Sequence, residues 1–321
     1  MGPEEGSIFL ERRINMNDYL VKSIDKTKNL RLLTITAKGV VGEAQKRHDL
    51  WSASAAVLGR TLVGSLLLAG AELTDKEELT VRLLGNGPVG PTIVTATADL
   101  GVKGYVKNPH IALPPKKDGH INVKKAVGQG WLEVTKDLGL KQPYTGQVPI
   151  VSGEIAEDFA YYLTKSEQIP SAVGLSVFVN PNNSIGEAGG FMLQALPGAS
   201  DALITETIKR IKALPALSSS FLDGMTPEDL ARKILGTDCK ILEKDDVAFK
   251  CDCSDDVAFK CDCSKEKYAG ILETLKSSEL KAMIDQDHGA ELTCNFCGNK
   301  YNYTEDELKA ILAKKHDEKD Y

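Results

Sequence analysis

Residues 79–106 read LTVRLLGNGPVGPTIVTATADLGVKGYV. Three short runs rich in β-branched and apolar residues, Leu79 to Leu84, Pro91 to Ala98 and Val102 to Val106, alternate with the turn formers Gly85-Asn86-Gly87-Pro88 and Asp99-Leu100-Gly101. The spacing predicts an antiparallel meander. The glycines also match a Gly-x-Gly-x-x-Gly pattern, but a dinucleotide-binding fingerprint has to open a helix, and Pro91-Thr92-Ile93-Val94-Thr95 reads as a strand. A hairpin turn is the expected reading.

Upstream, Asn29 to Ala37 is a strand pattern ending at Lys38-Gly39, where a turn is expected. From about Gln45 to Ala71 one helix is expected, amphipathic at first and then apolar on most sides. Its stretch Ala53 to Ala71 has the length of a membrane span, but Arg60 in the middle and Gly59, Gly64 and Gly70 make it a buried helix instead. Downstream, Trp131 to Thr135, Thr145 to Val151, Leu175 to Val179 and Gly190 to Ala195 continue the β-rich character, with a helix near Glu154 to Leu163. The expected fold class is therefore α+β: a β-rich N-terminal core with helices, a helical linker and a small C-terminal domain that its cysteines make zinc-binding. Trp51 and Trp131 are expected as core aromatics.

After Ala199 the texture changes. Residues 201–214 carry Leu203, Ile204, Ile208, Ile211 and Leu214 at helical spacing before Pro215. Thr226-Pro227-Glu228-Asp229 then supplies an N-cap, a proline at the first helical position and acids at the positive end of the dipole, and Gly236 closes that helix. Such helices have no sheet of their own to lie on and are expected to pack on a neighbouring domain. The expected units are a leader at residues 1–15 with the fold starting at Met16, a core at 16–198, a helical linker at 199–245 and a small C-terminal unit at 246–321, which its clustered cysteines make a redox-switch zinc domain. In the last, Thr304 to Glu307 form a capping box for a final helix.

All seven cysteines lie after residue 238. Clustering of this kind, without an export signal, points to metal or redox chemistry in the cytoplasm rather than to structural disulfides. Cys261-Asp262-Cys263 and Cys294-Asn295-Phe296-Cys297 are two close pairs able to complete a tetrahedron of four thiolates, and soft sulfur ligands in that geometry select zinc. Gly298 permits the tight turn of the second pair. Four sulfurs close the site, so one structural zinc per reduced chain is expected and hydrolysis is not. Oxidation of the thiolates would remove the ligands, which makes the site a potential switch.

The segment Asp245 to Ser254 recurs unchanged as Asp255 to Ser264. It leaves Cys251 and Cys253 as an alternative to the favoured Cys261 and Cys263, and is too short for a solenoid repeat. Cys239 reads as a passive thiol.

At these residues the chain resembles the 33 kDa chaperonin family of redox-regulated heat-shock holdases. Phe259-Lys260-Cys261-Asp262-Cys263-Ser264 and Cys294-Asn295-Phe296-Cys297-Gly298 are similar to its zinc motifs. Gly85-Asn86-Gly87-Pro88, Lys103-Gly104-Tyr105, Tyr144-Thr145-Gly146-Gln147-Val148, Ser166-Glu167-Gln168-Ile169-Pro170 and the run from Gly189 to Pro197 are similar to recurring segments of its core. The resemblance implies an ATP-independent chaperone, inactive while reduced and zinc-bound. It implies that oxidation pairs Cys261 with Cys263 and Cys294 with Cys297, releases zinc, destabilises the linker helices and exposes apolar surface for unfolding client proteins, with homodimer formation on activation. The tandem copy departs from that pattern and offers a spare pair able to rebind zinc or form non-native disulfides.

The rival readings are a zinc-ribbon module that binds nucleic acid or protein, and a thiol-disulfide oxidoreductase using Cys294 and Cys297. A formal charge of −6 with no local basic face speaks against nucleic acid. A thioredoxin-like βαβ context is missing around the second pair. His48, His110, His120 and His288 have no partners at metal or triad spacing, and no nucleophile motif is found, so an enzyme is not expected.

Overall fold

The structure, a computed structural model, describes residues 18–249 and 263–317. The leader expected at residues 1–15, Met16 as the start of the fold, and Cys251, Cys253 and Cys261 lie outside the described residues.

In chain order the N-terminal part runs β1 (Tyr19–Ile24), β2 (Leu30–Thr36), α1 (Lys38–His48), α2 (Ser52–Glu72), β3 (Glu78–Gly85), β4 (Thr92–Thr97), β5 (Gly101–Val106), α3 (Val123–Val127), β6 (Gly130–Asp137), β7 (Tyr144–Pro149), α4 (Ala156–Lys165), β8 (Ser171–Val179) and β9 (Ile185–Ala195). Next come α5 (Asp201–Lys212), α6 (Leu217–Leu222), α7 (Pro227–Leu235), β10 (Lys240–Asp246) and β11 (Ala248–Phe249). The C-terminal part holds α8 (Lys265–Thr274), α9 (Ser277–Asp285), β12 (Gly289–Thr293), β13 (Lys300–Thr304) and α10 (Glu305–Asp317).

The meander is present. β3, β4 and β5 pair antiparallel, and the six-stranded sheet they build has the order β11-β5-β4-β3-β6-β7. The glycine run is the β3–β4 turn. A Cβ at Gly87 would stand 2.4 Å from the Ala126 carbonyl oxygen, so glycine is needed there because the end of α3 approaches the backbone, and not for a phosphate. A second sheet, β10-β1-β2-β9-β8, faces the first across α2.

Helix α2 fills the space between the sheets. It is the one described helix long and apolar enough to cross a membrane, yet 89% of that window is buried inside the protein. The helix expected from Gln45 onward is in fact two: α1 already begins at Lys38, and Asp49 in the left-handed region (φ 48°) breaks the chain before α2. The segment after β5 crosses the break, with Asp49 on His110 at 2.9 Å and the Trp51 N–H donating to the Pro109 carbonyl at 3.0 Å. Trp51 therefore lies outside the core, 42% exposed and tilted at 41° against the His110 ring, and Trp131 on the outer face of β6 is 49% exposed. Both were expected inside; hydrophobicity alone does not say which face of a strand or turn an aromatic takes.

Strand β2 shows how the two cores arise from one strand. Its side chains alternate, so Leu33 and Ile35 join α2 while Leu30 and Leu32 face the other way. On that outer face Leu30, Leu32, Phe191 and Leu193 are covered by Phe221 of α6 and by Leu230, Ala231, Ile234 and Leu235 of α7. Helix α7 starts as its sequence demands: the Thr226 hydroxyl accepts from the Asp229 N–H at 3.2 Å and the Asp229 carboxylate accepts from the Thr226 N–H at 3.3 Å. The linker helices thus form a lid on an apolar sheet.

The end of the stretch read as helical linker is a strand. β10 pairs with β1 along its edge, with Lys22 reaching Glu243 at 2.7 Å, and β11 then runs parallel beside Gly101 and Val102 of β5. One ten-residue strip therefore stitches the linker to both sheets before the chain enters the cysteine segment. Its sequence, Lys-Ile-Leu-Glu-Lys-Asp-Asp over 240–246, has the charge that edge strands carry and little apolar alternation, which hides it from pattern reading.

Candidate metal centre

The C-terminal part is small, with a core of Leu272, Leu280, Ile284, Tyr303, Leu308 and Ile311. β12 and β13 form its hairpin, and Cys294 and Cys297 sit on the loop between them. That loop is a closed knuckle. The Gly298 N–H donates to the Cys294 carbonyl at 2.8 Å, the Cys294 N–H donates to the Asn299 carbonyl at 2.8 Å, and Gly298 has φ 73°.

The knuckle meets Cys263, which precedes α8. The sulfurs of Cys263, Cys294 and Cys297 all lie within 4.8 Å of one another, with Cys263 Sγ 3.3 Å from Cys297 Sγ. Sulfurs about 2.3 Å from a zinc ion stand about 3.8 Å apart in a regular tetrahedron, so three thiols already occupy the volume that a metal requires. The donor set fits a soft cation. No other cluster of three such ligands occurs among the described residues. Cys239 sits apart, beside the linker core, with burial pushing its thiol up.

Tyrosines surround the sulfurs. The Tyr301 hydroxyl lies 3.0 Å from Cys263 Sγ and 3.0 Å from the Cys263 carbonyl oxygen, and the Tyr303 hydroxyl donates to the Lys265 carbonyl. Residues 301 and 303 alternate onto one face of β13, so the strand after the second cysteine pair holds the chain that follows the first.

The two buried thiols are driven apart. Burial alone would raise Cys294, but the Tyr268 hydroxyl and the N–H groups of Cys297 and Phe296 outweigh it and bring that thiol down to about 7. Burial raises Cys297, and the neighbouring Cys263 and Cys294 sulfurs raise it further, against one N–H from Asn299. Of the two, Cys294 is the sulfur that gives up its proton first.

The knuckle docks on the N-terminal core. Phe296, between the two cysteines, meets Tyr105 of β5 edge to face at 5.1 Å, with Lys103 Nζ 5.2 Å from its ring centre. Cys294 and Cys297 belong to the same buried cluster as Val247 and Phe249, the residues that carry β10 into β11. The knuckle's aromatic tip is packed on the protein's own core, and Cys294 is 2% and Cys297 4% exposed. The tyrosines were not singled out from sequence, although the Tyr-x-Tyr alternation directly after Cys-x-x-Cys-Gly is a readable signal.

The family model described as Hsp33 protein matches residues 18–258 and 254–304. The two stretches overlap inside the tandem repeat, where a single-copy pattern laid on a two-copy sequence has to break. The chain is 90% identical to the 33 kDa chaperonin of Lactobacillus helveticus over 306 residues, covering 95% of this chain and 100% of that protein. It is 50% identical to that of Lactiplantibacillus plantarum over 300 residues, covering 93% of this chain and 98% of the relative. The crystal structure of the 33 kDa chaperonin of Thermotoga maritima superposes with a TM-score of 0.86 at 35% identity, over 94% of this chain and 99% of that one. An α+β core, a thiol knuckle packed on it and matches along nearly the whole chain agree, and this protein belongs to the Hsp33 family of 33 kDa chaperonins.

Proposed function

We propose that the thiol centre is the oxidation switch of this chaperone, with Cys261, Cys263, Cys294 and Cys297 as the ligands of one zinc ion in the reduced chain. By family the protein is a redox-regulated, ATP-independent holdase and not an enzyme. The reading rests above all on three thiols converging within 4.8 Å on a knuckle that is itself packed against the core. Zinc, when bound there, supplies the free energy that keeps a part of this size folded. Cys251 and Cys253 are the alternative first pair.

In this reading the working units are a core of residues 16–198, a linker of 199–245 and a switch of 246–321. Oxidation turns the thiolates into disulfides, Cys261 with Cys263 and Cys294 with Cys297, and the sulfurs cease to be ligands. The knuckle then loses its form, Phe296 leaves Tyr105, and the β10–β11 strip loses the packing beside it. Helices α5 to α7 are released from the five-stranded sheet. Leu30, Leu32, Phe191 and Leu193 become available to unfolding clients in the cytoplasm, and to a second copy of the chain as an activated homodimer.

The test is light scattering of a heat-unfolding client. Protein treated with peroxide is expected to suppress aggregation at near-stoichiometric amounts, and the same protein reduced with zinc is not. Equal suppression in both states would remove the switch from the account.

A further inference from the structure

The tyrosines around the sulfurs are placed crosswise. Tyr268 belongs to α8, the helix after the first cysteine pair, yet it is the group that draws down the Cys294 thiol of the second pair. Tyr301 belongs to β13, the strand after the second pair, yet its hydroxyl lies 3.0 Å from the sulfur of Cys263 in the first. The two rings stack at 5.1 Å with 26° between their planes. The Cys263 carbonyl oxygen stands at the same 3.0 Å from the Tyr301 hydroxyl, so its single proton is shared between that oxygen and the sulfur. Each half of the site thus supplies the hydroxyl that covers a sulfur of the other half.

We propose that the Tyr268 and Tyr301 hydroxyls are positioning groups that set how readily the switch responds to oxidant, by hydrogen-bonding one sulfur of each cysteine pair and damping its nucleophilicity. The inference rests on the reading of the cysteines as the redox switch. In the step concerned a thiolate sulfur attacks one oxygen of a peroxide; the O–O bond breaks, the sulfur becomes a sulfenic acid, and the other oxygen leaves as hydroxide and is protonated to water. The neighbouring thiolate then displaces hydroxide from that sulfur and forms the disulfide, so two thiolates are oxidised by two electrons while one peroxide is reduced. The lone pair that attacks is the one a hydroxyl proton occupies, and a hydrogen bond must be given up on the way to the transition state. Groups that hydrogen-bond a ligand atom tune metal sites in this way without touching the metal.

The experiment uses the full reduced, zinc-loaded chain and the variants Tyr268→Phe and Tyr301→Phe, which keep the stacked rings. Hydrogen peroxide in excess is added, and free thiols and released zinc are followed in time. In parallel, zinc is withdrawn by a strong chelator with no oxidant present. Each variant is expected to lose thiols to peroxide about fivefold faster than the wild type, the value of one ordinary hydrogen bond, with the chelator-driven rate at the wild-type value.

Unchanged peroxide rates in both variants would overturn the assignment, as would peroxide and chelator rates rising together, which marks a brace and nothing more. Should Tyr301→Phe fail to take up zinc, Tyr268→Phe carries the same comparison on a different sulfur, and failure of both to load overturns the inference. A wild type that keeps its zinc in peroxide takes the switch itself away. A wild type that loses it at the same rate as the variants removes only the role of the tyrosines.

Discussion

Reduced, zinc-loaded protein carrying Leu230→Asp will suppress client aggregation without any oxidant. Leu230 is fully buried in α7, within the cluster that the linker helices form on Leu30, Leu32, Phe191 and Leu193. An aspartate there meets no cation within that apolar cluster, and burying an unpaired carboxylate costs several kcal/mol even after relaxation. Helix α7 has nine residues, below the length at which a helix of about 12 to 15 residues becomes even marginal in water, so it persists only through its packed face. The cheaper response is for the helix to leave the sheet. Limited proteolysis should then cut between residues 200 and 236 while the two-sheet core stays intact. A variant that is released in this way but still fails to hold clients would show that the covered sheet face is not the client surface.

Cys297→Ser will strip structure from residues 263–317 and leave the core standing. The six buried side chains of the C-terminal core belong to a part well under about 70–80 residues, where a hydrophobic core rarely yields more than about 3–5 kcal/mol. Structural zinc in comparable small units is worth about 10–16 kcal/mol, so the metal outweighs the packing by a factor of at least two. Serine keeps the volume but is a far poorer ligand than thiolate for a soft site, and zinc affinity should fall by orders of magnitude. Hydrogen exchange is the direct readout: amides of β12, β13 and α8 to α10 should lose protection, while those of α2 and β9 keep it. Full protection of the hairpin in the metal-free variant would mean that the small core suffices alone.

The sequence made the core legible where patterns are strong. The β3–β5 meander follows from β-branched runs cut by Gly and Pro, and α2 from an apolar stretch interrupted by Arg60. The capping boxes at Thr226 and Thr304 both form as written. What escaped was decided by partners distant in the chain. β1 and β10 each look weak alone and pair with one another across a separation of 216 residues or more, Ile24 with Lys240 at the near end, which no local window can see. The exposed positions of Trp51 and Trp131 depend on which face each takes, which composition does not encode.

The site divides in the same way. Cys294, Cys297 and Gly298 are readable because a knuckle is local, made by turns within five residues. Its docking through Phe296 onto Tyr105, and the crossed hydroxyls of Tyr268 and Tyr301, are tertiary and had no local signature. Cys261, Cys251 and Cys253 lie outside the described residues, and the claim made for the site is one of chemistry: thiolates that hold zinc and release it on oxidation.

That chemistry is a count of zinc and free thiols on one sample of the full chain before and after peroxide. The account predicts one zinc per reduced chain, and loss of that zinc together with four of the seven cysteine thiols on oxidation. Zinc retained after the thiols are oxidised, or a reduced chain that binds none, would contradict it.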